Sequence, residues 1–412
     1  MRFLIGLAVK NLKRRKRRTM FTVAGIAMGV WLTLTFFGVT NYNYAKLIEN
    51  GSKMSYGHLS FLNEDYLLHS SAKNSVFVSE KELASSSKIA GIQKALPRIM
   101  ISASAMSAKK SLPVAIMGID VKLENSEDNV FLDHITSGEI PKSNSDRSVI
   151  VGKKLLEKLG LREGQKLIIQ FSDKNGDIQS ELLWITTVFS TGSEIIDTGS
   201  IIVPMNVIQK YLRYEENEYS FIAMIMNNPN LLEAAETDVK KIFASNNSGE
   251  VVDWKTSQES LYSLIKLDKS SGLFFICILG FIVALGNLNT ILMSVLERRK
   301  EFGMMLAIGM KPRQLIMNVI YEAIVMSLLG VFIGFILGSL TYSYFLYVGL
   351  DISEMVGSAE AANSLFDPIM RSKLYLKDYF ISAISFIILT ILASLYPALK
   401  IRKLNPIEVM TR

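Results

Sequence analysis

The sequence predicts an α-helical membrane protein with four transmembrane helices and a large α+β extracytoplasmic, or periplasmic, domain. Three observations lead to this fold class. The 412 residues are 49% hydrophobic, with a mean hydropathy of +0.28, which is high for a soluble chain. Four apolar segments reach the roughly 20 residues that a span requires. Between the first two segments, a long stretch carries alternating strand and helix patterns.

The N-terminal segment begins with a basic amphipathic stretch. Residues 1–18, MRFLIGLAVKNLKRRKRR, contain eight basic residues and no acidic one. We predict an amphipathic helix along the cytoplasmic membrane surface, with an apolar face made of Phe3, Leu4, Leu7, Ala8 and Leu12. Residues 19–41 then form the first span. Their apolar core is longer than that of a signal peptide, and FFGVTNYN is a poor cleavage site.

Residues 42–270 are predicted to form an exported α+β domain. SVIVGKKLLEKLGL and SIIVPMNVIQKYL are strand-then-helix patterns, and QKLIIQF and ELLWITTVF are strands joined by a turn at SDKNGD. Residues 42–147 are more polar and less periodic, which favours a second subdomain. The domain contains no sequence motif of a serine hydrolase, a zinc protease or a nucleotide-binding protein.

The acidic residues of this domain are interpreted as structural. Asp197, in GSEIIDTGS, is a candidate buried functional acid, but a residue that caps or turns the chain is the favoured interpretation. The pairs Glu64/Asp65 and Glu127/Asp128 are expected on the solvated surface. The chain has three histidines and one cysteine, so we expect neither an internal disulfide framework nor a zinc site, and no metal.

The C-terminal part of the chain contains three further apolar segments and two short connections. TSQESLYSLIKLDKSSG is expected to extend the second span as a helix. The predicted boundaries are 271–296 for the second span, 297–313 for a cytoplasmic helix, 314–348 for the third span, 349–377 for a periplasmic loop, 378–397 for the fourth span and 398–412 for a cytoplasmic tail.

Basic charge is concentrated beside the apolar segments. Residues 1–18, 297–313 and 400–412 together carry +14, whereas the whole chain carries +7, so the remainder carries −7. This is the positive-inside pattern of a membrane protein and not the footprint of a nucleic-acid-binding surface. It places both termini in the cytoplasm and the large domain outside, in a multi-pass membrane protein; the family resemblance described below implies that this membrane is the inner membrane of the cell.

Glycines inside the spans predict close helix packing. Gly330, Gly334 and Gly338 recur every four residues in the third span, and Gly25 and Gly29 do so in the first. Such spacing removes side chains along one helix face and lets a neighbouring backbone approach. Fixed packing is the first interpretation, and a surface that slides during function is the alternative.

Three polar residues lie inside the predicted spans, where they are costly in lipid. Asn287 and Asn289 belong to the second span and Glu322 to the third. Glu322 lies about two turns into its span, so we expect it to reach the cytoplasmic interface and to pair with a basic residue there. Proton coupling is the less favoured alternative, since no second buried acid or histidine accompanies it.

The stretch ERRKEFGMMLAIGM, residues 297–310, lies between two spans and is too charged to remain in lipid. Phe302, Met305, Leu306 and Met310 form a partly apolar helical surface, and methionines suit an adaptable protein contact. From the physics of the stretch alone, an interfacial helix without a partner is the favoured interpretation.

Several segments resemble a known family. MSVLERRKEFGMMLAIGMKPRQL, YEAIVMSLLGVFIGFILG and YPALKIRKLNPIEVM resemble the FtsX-like permease domain of MacB-type ABC transporters, and LAVKNLKRRKRRTMFTVAGIAMGV is similar to the family's opening segment. SVIVGKKLLEKLGLREGQKLIIQF and TGSEIIDTGSIIVPMNVIQKYL resemble the exported domain that MacB-type permeases share with lipoprotein-releasing (LolC/LolE-like) permeases. The resemblance therefore covers both ends of the chain and its exported domain.

The resemblance implies that residues 297–310 are a coupling helix that docks in a groove of a cytoplasmic ATPase subunit. No Walker motif occurs in the sequence, so this chain is expected not to be an enzyme and to hold no cofactor, with ATP and Mg on a partner ATPase. The residues assigned to ATPase coupling are Glu297, Arg298, Glu301, Phe302, Gly303, Met305, Leu306, Ala307, Gly309 and Met310.

The implied function is that of a permease subunit that couples ATP hydrolysis to periplasmic movements. Extraction of lipoproteins from the inner membrane for the outer membrane is favoured. The alternatives are a MacB-like exporter of small molecules or peptides with a periplasmic adaptor, and an FtsX-like signalling or scaffold protein that regulates an exported hydrolase. Expected partners are an ABC ATPase dimer, a second permease copy or paralogue, membrane lipid, and a periplasmic lipoprotein chaperone or adaptor, but no nucleic acid.

Overall fold

The computed structural model describes residues 16–351 and 369–401. Three predicted features fall wholly or mostly outside the described residues: the amphipathic helix at 1–18, the periplasmic loop at 349–377 and the cytoplasmic tail at 398–412. The described residues divide into a helical unit, made of residues 16–43, 266–351 and 369–401, and a sheet unit, made of residues 44–265.

Four of the described helices are long and apolar enough to cross a membrane. They are α1, α9, α11 and α12 in chain order. The helices are α1 (Lys16–Met54), α2 (Glu80–Ser86), α3 (Val130–Asp133), α4 (Lys153–Leu159), α5 (Glu194–Gly199), α6 (Met205–Leu212), α7 (Leu232–Ile242), α8 (Trp254–Ser257), α9 (Glu259–Glu297), α10 (Arg299–Ala307), α11 (Pro312–Tyr347) and α12 (Leu376–Lys400).

The strands are concentrated between α1 and α9. They are β1 (Leu59–Leu62), β2 (Val76–Phe77), β3 (Ile92–Met106), β4 (Ser111–Ile119), β5 (Ile135–Gly138), β6 (Ser148–Gly152), β7 (Lys166–Ser172), β8 (Ile178–Phe189), β9 (Ser200–Pro204), β10 (Glu218–Tyr219), β11 (Phe221–Met226), β12 (Glu250–Asp253), β13 (Leu350–Asp351) and β14 (Ile369–Met370).

The sheet unit is built on one mixed sheet in the order β12-β1-β11-β3-β4-β9-β6-β8-β5, with β7 pairing β3 and β8. The predicted second subdomain at residues 42–147 does not hold. Strands β1, β3 and β4 come from that stretch, yet they pair with β11, β12 and β9 from the later stretch. Because these pairings join distant parts of the chain, both stretches share one sheet.

Local sequence sets the strand and helix ends that position this sheet. The predicted strand-then-helix units appear as β6–α4 and β9–α6. Gly160 adopts the left-handed conformation, with φ of 69°, at the end of α4, as expected of a helix-terminating glycine. Gly176, with φ of 90°, makes the turn between β7 and β8 that SDKNGD predicts.

In the helical unit, polar contacts join the long helices at several levels. Trp31 on α1 donates from Nε1 to Oγ1 of Thr341 on α11 at 2.8 Å. Asn41 on α1 donates from Nδ2 to Oδ2 of Asp378 on α12 at 2.9 Å. These hydrogen bonds fix helix register where apolar packing alone is permissive.

Two of the long helices exceed the length that a span requires. Helices α1 and α9 each contain 39 residues, or about 58 Å at 1.5 Å per residue, against a hydrocarbon core of about 30 Å. The stretch TSQESLYSLIKLDKSSG belongs largely to α9, as the sequence predicts. Each of these helices contributes residues to both units.

Candidate coupling site

The connection between α9 and α11 is a short helical elbow, residues 297–312. Helix α9 ends at Glu297, α10 covers Arg299–Ala307, and α11 begins at Pro312. Gly309 has a φ of 98°, a conformation that only glycine adopts without strain. Proline at the first position of a helix loses no hydrogen bond. The elbow is therefore two sharp turns around a nine-residue helix.

Arg298 is the electrostatic centre of the elbow. Its side chain is 7% exposed, its Nε donates to Glu301 Oε2 at 3.0 Å, and its Nη1 donates to Glu322 Oε2 at 3.1 Å. The guanidinium also lies 5.0 Å from the centroid of the Phe302 ring, within cation–π range. The pairing expected for Glu322 is present, and it fastens the elbow to α11.

A second ion pair joins the start of α1 to the end of α9. Arg18 donates from Nη2 to Glu297 Oε1 at 2.6 Å and from Nη1 to Glu297 Oε2 at 3.0 Å. This bidentate geometry is specific for arginine and a carboxylate. Both side chains are about one-third exposed, so the pair fixes geometry more than it adds stability.

The apolar face predicted to meet a partner lies instead against the other helices. Phe302 is fully buried and Gly303 is buried, whereas Met305, Leu306 and Met310 are partly buried. Burial of this face removes apolar area from water, so the prediction that it forms the contact surface is corrected. These side chains pack in a cluster that includes Val23, Ile291, Val295, Leu315, Val319, Ala323, Met326, Ala398 and Ile401.

The opposite face of the elbow is the exposed one. Met304 is 51% exposed and Ile308 is 87% exposed, and Ala307, Arg299 and Lys300 are also exposed. Ala307 is among the predicted coupling residues, but Met304 and Ile308 were missed. Their spacing of four residues was the available signal, since positions i and i+4 share a helix face. This outer face is a small apolar patch beside two basic residues.

The glycine stripe of α11 packs closely on α1. A β-carbon placed at Gly330 would lie 2.7 Å from Ile26 Cβ, and one at Gly334 would lie 2.7 Å from Val30 Cβ. At Gly338 it would lie 2.7 Å from Leu34 Cδ1. At Gly330 and Gly334 the neighbouring atoms are β-carbons that cannot move aside, so these two glycines are needed for the close approach, whereas at Gly338 the end of the Leu34 side chain could shift.

The two glycines of α1, Gly25 and Gly29, have different surroundings. A β-carbon at Gly29 would lie 2.4 Å from Phe386 Cε1, whereas one at Gly25 would have no described residue within 4 Å. Among the described residues, the packing prediction therefore fails for Gly25. The two residues are four apart, but α1 meets a neighbour only at the second of them.

The two asparagines of α9 also have different surroundings. Asn287 is 3% exposed, and its Nδ2 donates to Thr390 Oγ1 on α12 at 3.4 Å. Asn289 is exposed, so it does not serve packing within the chain. The placement of both asparagines inside a membrane span remains a prediction.

Asp197 and Asp128 of the sheet unit are both buried. Asp197 Oδ1 accepts from the Thr191 backbone N at 2.8 Å and from Thr191 Oγ1 at 2.6 Å, which is the local structural role favoured from the sequence. Asp128 is fully buried and pairs with Lys94, so its predicted place on the solvated surface is wrong. Glu127 beside it is exposed.

The sheet unit contains a buried arginine that the sequence did not single out. Arg98 on β3 and Glu124 are fully buried and form two hydrogen bonds of 2.9 and 2.7 Å. Arg98 Nη1 donates to the carbonyl oxygens of Lys53 at 2.9 Å and Ser55 at 2.7 Å. These carbonyls lie at the C-terminal end of α1, where a positive charge is favourable. Arg98 therefore clamps the end of α1 to the sheet.

His58 is a buried histidine of the sheet unit. Burial lowers the pKa of His58 from 6.5 to about 4, because burial disfavours the charged imidazolium. Its Nδ1 accepts from the backbone N of Met226 at 3.2 Å, which requires a neutral ring. Across residues 16–351 and 369–401, no three His, Cys, Asp or Glu side chains form a possible metal site.

Comparison with known proteins gives a family match in the C-terminal part of the chain. Residues 273–406 match the family of the FtsX-like permease C-terminal domain. LolC, the lipoprotein-releasing system transmembrane protein of Buchnera aphidicola subsp. Schizaphis graminum, is 24% identical over 306 residues, covering 72% of this chain and 71% of LolC. An uncharacterized ABC transporter permease of Methanocaldococcus jannaschii is 22% identical over 422 residues, covering 99% of this chain and 97% of that permease.

Two further comparisons concern MacB. The macrolide export ATP-binding/permease protein MacB 2 of Aeromonas hydrophila subsp. hydrophila is 30% identical over 138 residues, which cover 33% of this chain and 18% of MacB 2. The crystal structure of the periplasmic region of MacB from Actinobacillus actinomycetemcomitans gives a TM-score of 0.36 at 12% identity, covering 53% of this chain and 98% of that one.

The family match covers three of the long apolar helices and the elbow. Residues 273–406 form an FtsX-like permease domain. Over more of its length, the chain is similar to ABC transporter permeases, among them lipoprotein-releasing and MacB proteins.

Proposed function

We propose that this chain couples ATP hydrolysis on a separate cytoplasmic ATPase to movement of its sheet unit outside the inner membrane. In this proposal the four long helices cross the membrane, both termini and the elbow lie in the cytoplasm, and a second permease copy completes the complex. ATP and Mg bind the ATPase, since no Walker motif occurs in this sequence.

The observation that carries the proposal is the two-sided elbow. Its inner face is held by the buried Phe302 and by the pairs of Arg298 with Glu301 and Glu322. Its outer face exposes Ile308 with Met304 and two basic residues. A rigidly held helix with an apolar patch on its free side is a suitable contact for a groove in a second protein.

The long helices supply the path for the movement. The elbow follows α9 directly, and α9 continues as one helix from residue 297 back to residue 259. At the end of α1, Arg98 holds the last carbonyl groups to β3. Displacement of the elbow is therefore expected to shift α9 as a unit and to move the sheet unit with it.

The proposed docking face is tested by Ile308→Glu in the full-length chain. The carboxylate would sit in the middle of the apolar patch, so we expect at least a tenfold drop in the amount of ATPase that co-purifies, because a buried contact of this kind is worth about 2 kcal/mol. Membrane insertion should not change. Normal recovery of the ATPase with this variant would reject the docking face.

Ile178→Glu is the matched control, because Ile178 is 71% exposed and lies in the sheet unit. It should leave ATPase recovery unchanged. Leu306→Glu is a poorer test, since Leu306 is partly buried against the other helices and a charge there would disturb the fold.

For the cargo, we propose lipoproteins, which are extracted from the inner membrane. The lipoprotein-releasing relatives support this, since their similarity covers 71–97% of their own length. The test uses the complex in proteoliposomes with a labelled acylated lipoprotein and, as control, the same protein without its acyl chains. ATP should release the acylated form into solution. Equal behaviour of the two forms would contradict lipoprotein extraction.

A MacB-like export function is the second candidate, favoured by the 30% identity of 138 residues to MacB 2. If the chain has that function, a complex of the permease, the ATPase and a periplasmic adaptor should release a bound small molecule or peptide when ATP is added. The proteins that co-purify from native membranes distinguish the two, since a lipoprotein chaperone supports the first candidate and an adaptor the second.

A further inference from the structure

An apolar cavity lies in the sheet unit. Its volume is about 360 Å³, which is within the range of small-ligand sites and exceeds that of an engineered apolar cavity of about 150 Å³ that binds benzene. The end of α1, strands β3 and β4, helices α3 and α5 and the start of α9 contribute to its wall. The apolar side chains that line it include Met54, Met100, Met117, Phe131, Ile196 and Leu261.

The wall of the cavity excludes a charged ligand. Among the described residues that line it, none is Asp, Glu, Lys, Arg or His, so no partner offsets the cost of burying an ion. Two polar side chains of the wall bond to the backbone. Ser55 Oγ donates to the Gly51 carbonyl at 3.1 Å, and Gln258 Nε2 donates to the Gly57 carbonyl at 3.4 Å. The part of a ligand that enters is therefore neutral and apolar.

Methionines make up half of the six apolar side chains named above. Because the flexible methionine side chain adapts to ligands of different shape, this wall suits a flexible chain better than a rigid ring. Each methylene group that leaves water for the cavity contributes to binding, so a long hydrocarbon chain is favoured over a short one.

Exposed leucines on α9 continue from the cavity towards the second predicted span. Leu261 lines the cavity, and Leu264 and Leu267 are exposed, whereas Ile265 is buried. Residues three apart are neighbours on a helix surface, so the three leucines form one row. A row of exposed apolar side chains marks a binding surface more often than an isolated one does. This observation is independent of the cavity and also indicates a hydrocarbon ligand.

Along both α1 and α9, the cavity wall lies beyond the predicted spans. Gly51, which lines the cavity, follows the end of the first predicted span at residue 41 by ten residues, and Leu261 precedes the second, at residue 271, by ten residues. Ten helical residues rise about 15 Å. An acyl chain that remains in the bilayer does not reach this position, so the occupant is a lipid that has been lifted out.

We propose that this cavity receives an acyl chain of the lipoprotein cargo after that chain has left the bilayer. The hydrocarbon packs among the methionines, and the polar end of the lipid remains outside the cavity. The inference rests on the proposed function for the identity of the cargo and for the position of the sheet unit outside the membrane. Binding itself requires neither ATP nor the ATPase.

The first arm of the test is photolabelling of the purified full-length chain in detergent micelles, without ATP. The probe is a synthetic lipopeptide whose N-terminal cysteine carries a long acyl chain that ends in a diazirine. A short-chain soluble acid with the same diazirine is the control. Mass spectrometry of proteolytic fragments should find at least tenfold more lipopeptide than control adducts on the residues that line the cavity. Absence of lipopeptide adducts there, or equal labelling by the short acid, would overturn the site whatever the cargo is.

The second arm identifies the source of the acyl chain. The full-length chain and its ATPase are placed in lipid nanodiscs with the lipopeptide or with a phospholipid that carries the same photoreactive chain. With ATP, the lipopeptide should label the cavity at least tenfold more than the phospholipid does. Equal labelling by the phospholipid would overturn the assignment to cargo. Labelling in micelles with no effect of ATP in nanodiscs would contradict the proposed coupling function and leave the cavity site supported.

A cavity-filling variant is the third arm. Ala115 on β4 lines the cavity, so Ala115→Phe should lower lipopeptide labelling in micelles at least tenfold. Ala234→Phe is the matched control, because Ala234 is exposed on α7 of the same unit and is not part of the wall. Unchanged labelling in Ala115→Phe, or equal loss in Ala234→Phe, would contradict the site. The first arm uses the original chain, so it remains decisive if Ala115→Phe does not fold.

Discussion

Arg298 Nη1 lies 3.1 Å from Glu322 Oε2. This ion pair joins the elbow to α11, which carries Glu322, 24 residues after Arg298. The two side chains are 7% and 16% exposed, so this is a largely buried ion pair. A carboxylate placed in a span would otherwise be costly. The pair therefore explains how α11 carries Glu322 and how the elbow keeps a fixed orientation.

The first prediction concerns this pair. Glu322→Ala would leave the buried guanidinium short of one partner, so we expect a loss of about 3 kcal/mol in the free energy of unfolding. Glu157→Ala is the control, because its pair with Lys154 is about half exposed on both sides and its loss should cost less than about 1 kcal/mol. Thermal unfolding of the full chain in detergent measures both. Equal losses of unfolding free energy in the two variants would contradict a buried ion pair between Arg298 and Glu322.

The second prediction uses two glycines with opposite surroundings. Gly334→Leu would force atoms into the space of Val30 Cβ and the Ala27 carbonyl, 2.7 and 2.9 Å from the new β-carbon. We expect it to destabilise the helical unit by about 1–3 kcal/mol or more. Gly25→Leu, whose new β-carbon has none of the described residues within 4 Å, should be nearly neutral. A normal melting temperature for Gly334→Leu would contradict the close packing of α11 on α1.

The third prediction concerns the clamp at the end of α1. Arg98→Met leaves Glu124 buried and unpaired, so it should cost about 3–5 kcal/mol, whereas Arg98→Met combined with Glu124→Met should recover much of that loss. Lys240→Met removes an exposed pair and should change stability by less than about 0.5 kcal/mol. Unfolding of the full chain by urea measures the three variants. A double variant no more stable than the single one would contradict the coupling of the two residues.

The fourth prediction is a dependence of stability on pH through His58. Its pKa is about 4 in the fold and about 6.5 when unfolded. Only the unfolded chain binds the proton between these values, so the contribution of His58 is complete above about pH 6.5 and is lost as the pH falls towards 4. The loss amounts to about 3 kcal/mol at most.

The measurement for His58 compares the original chain with His58→Gln, because other acidic groups titrate in the same range. From pH 7 to pH 4, the unfolding free energy of the original chain should fall by more than that of His58→Gln. A difference that stays constant with pH would show that His58 is protonated equally in both states.

Sequence patterns predicted the long helices and the later strands because both depend on local signals. The length of the apolar segments predicted the spans in α1, α9, α11 and α12, and alternating or continuous runs of apolar residues predicted the strands β6 to β9. Partner strands are not local, so the single sheet that joins β1, β3 and β4 to β9, β11 and β12 was not foreseen.

The side-chain environments were less predictable for the same reason. The sequence identified a helical elbow, but not that Phe302 would face inward and Ile308 outward, because a nine-residue helix between two spans can turn either face to its neighbours. Arg98 had no local signal beyond the apolar residues around it, since its partners come from α1 and from Glu124. Gly25 and Gly29 look alike in sequence and differ only because α12 reaches one of them.

The measurement that tests the central claim most directly is the side of the membrane on which the elbow and the sheet unit lie. Ile308→Cys and Ile178→Cys, each in a chain carrying Cys277→Ser, are treated in intact cells with a thiol reagent that reaches the periplasm but does not cross the inner membrane. We expect Ile178→Cys to react at once and Ile308→Cys only after the inner membrane is opened. Reaction of both positions from the outside would contradict an elbow that meets a cytoplasmic ATPase.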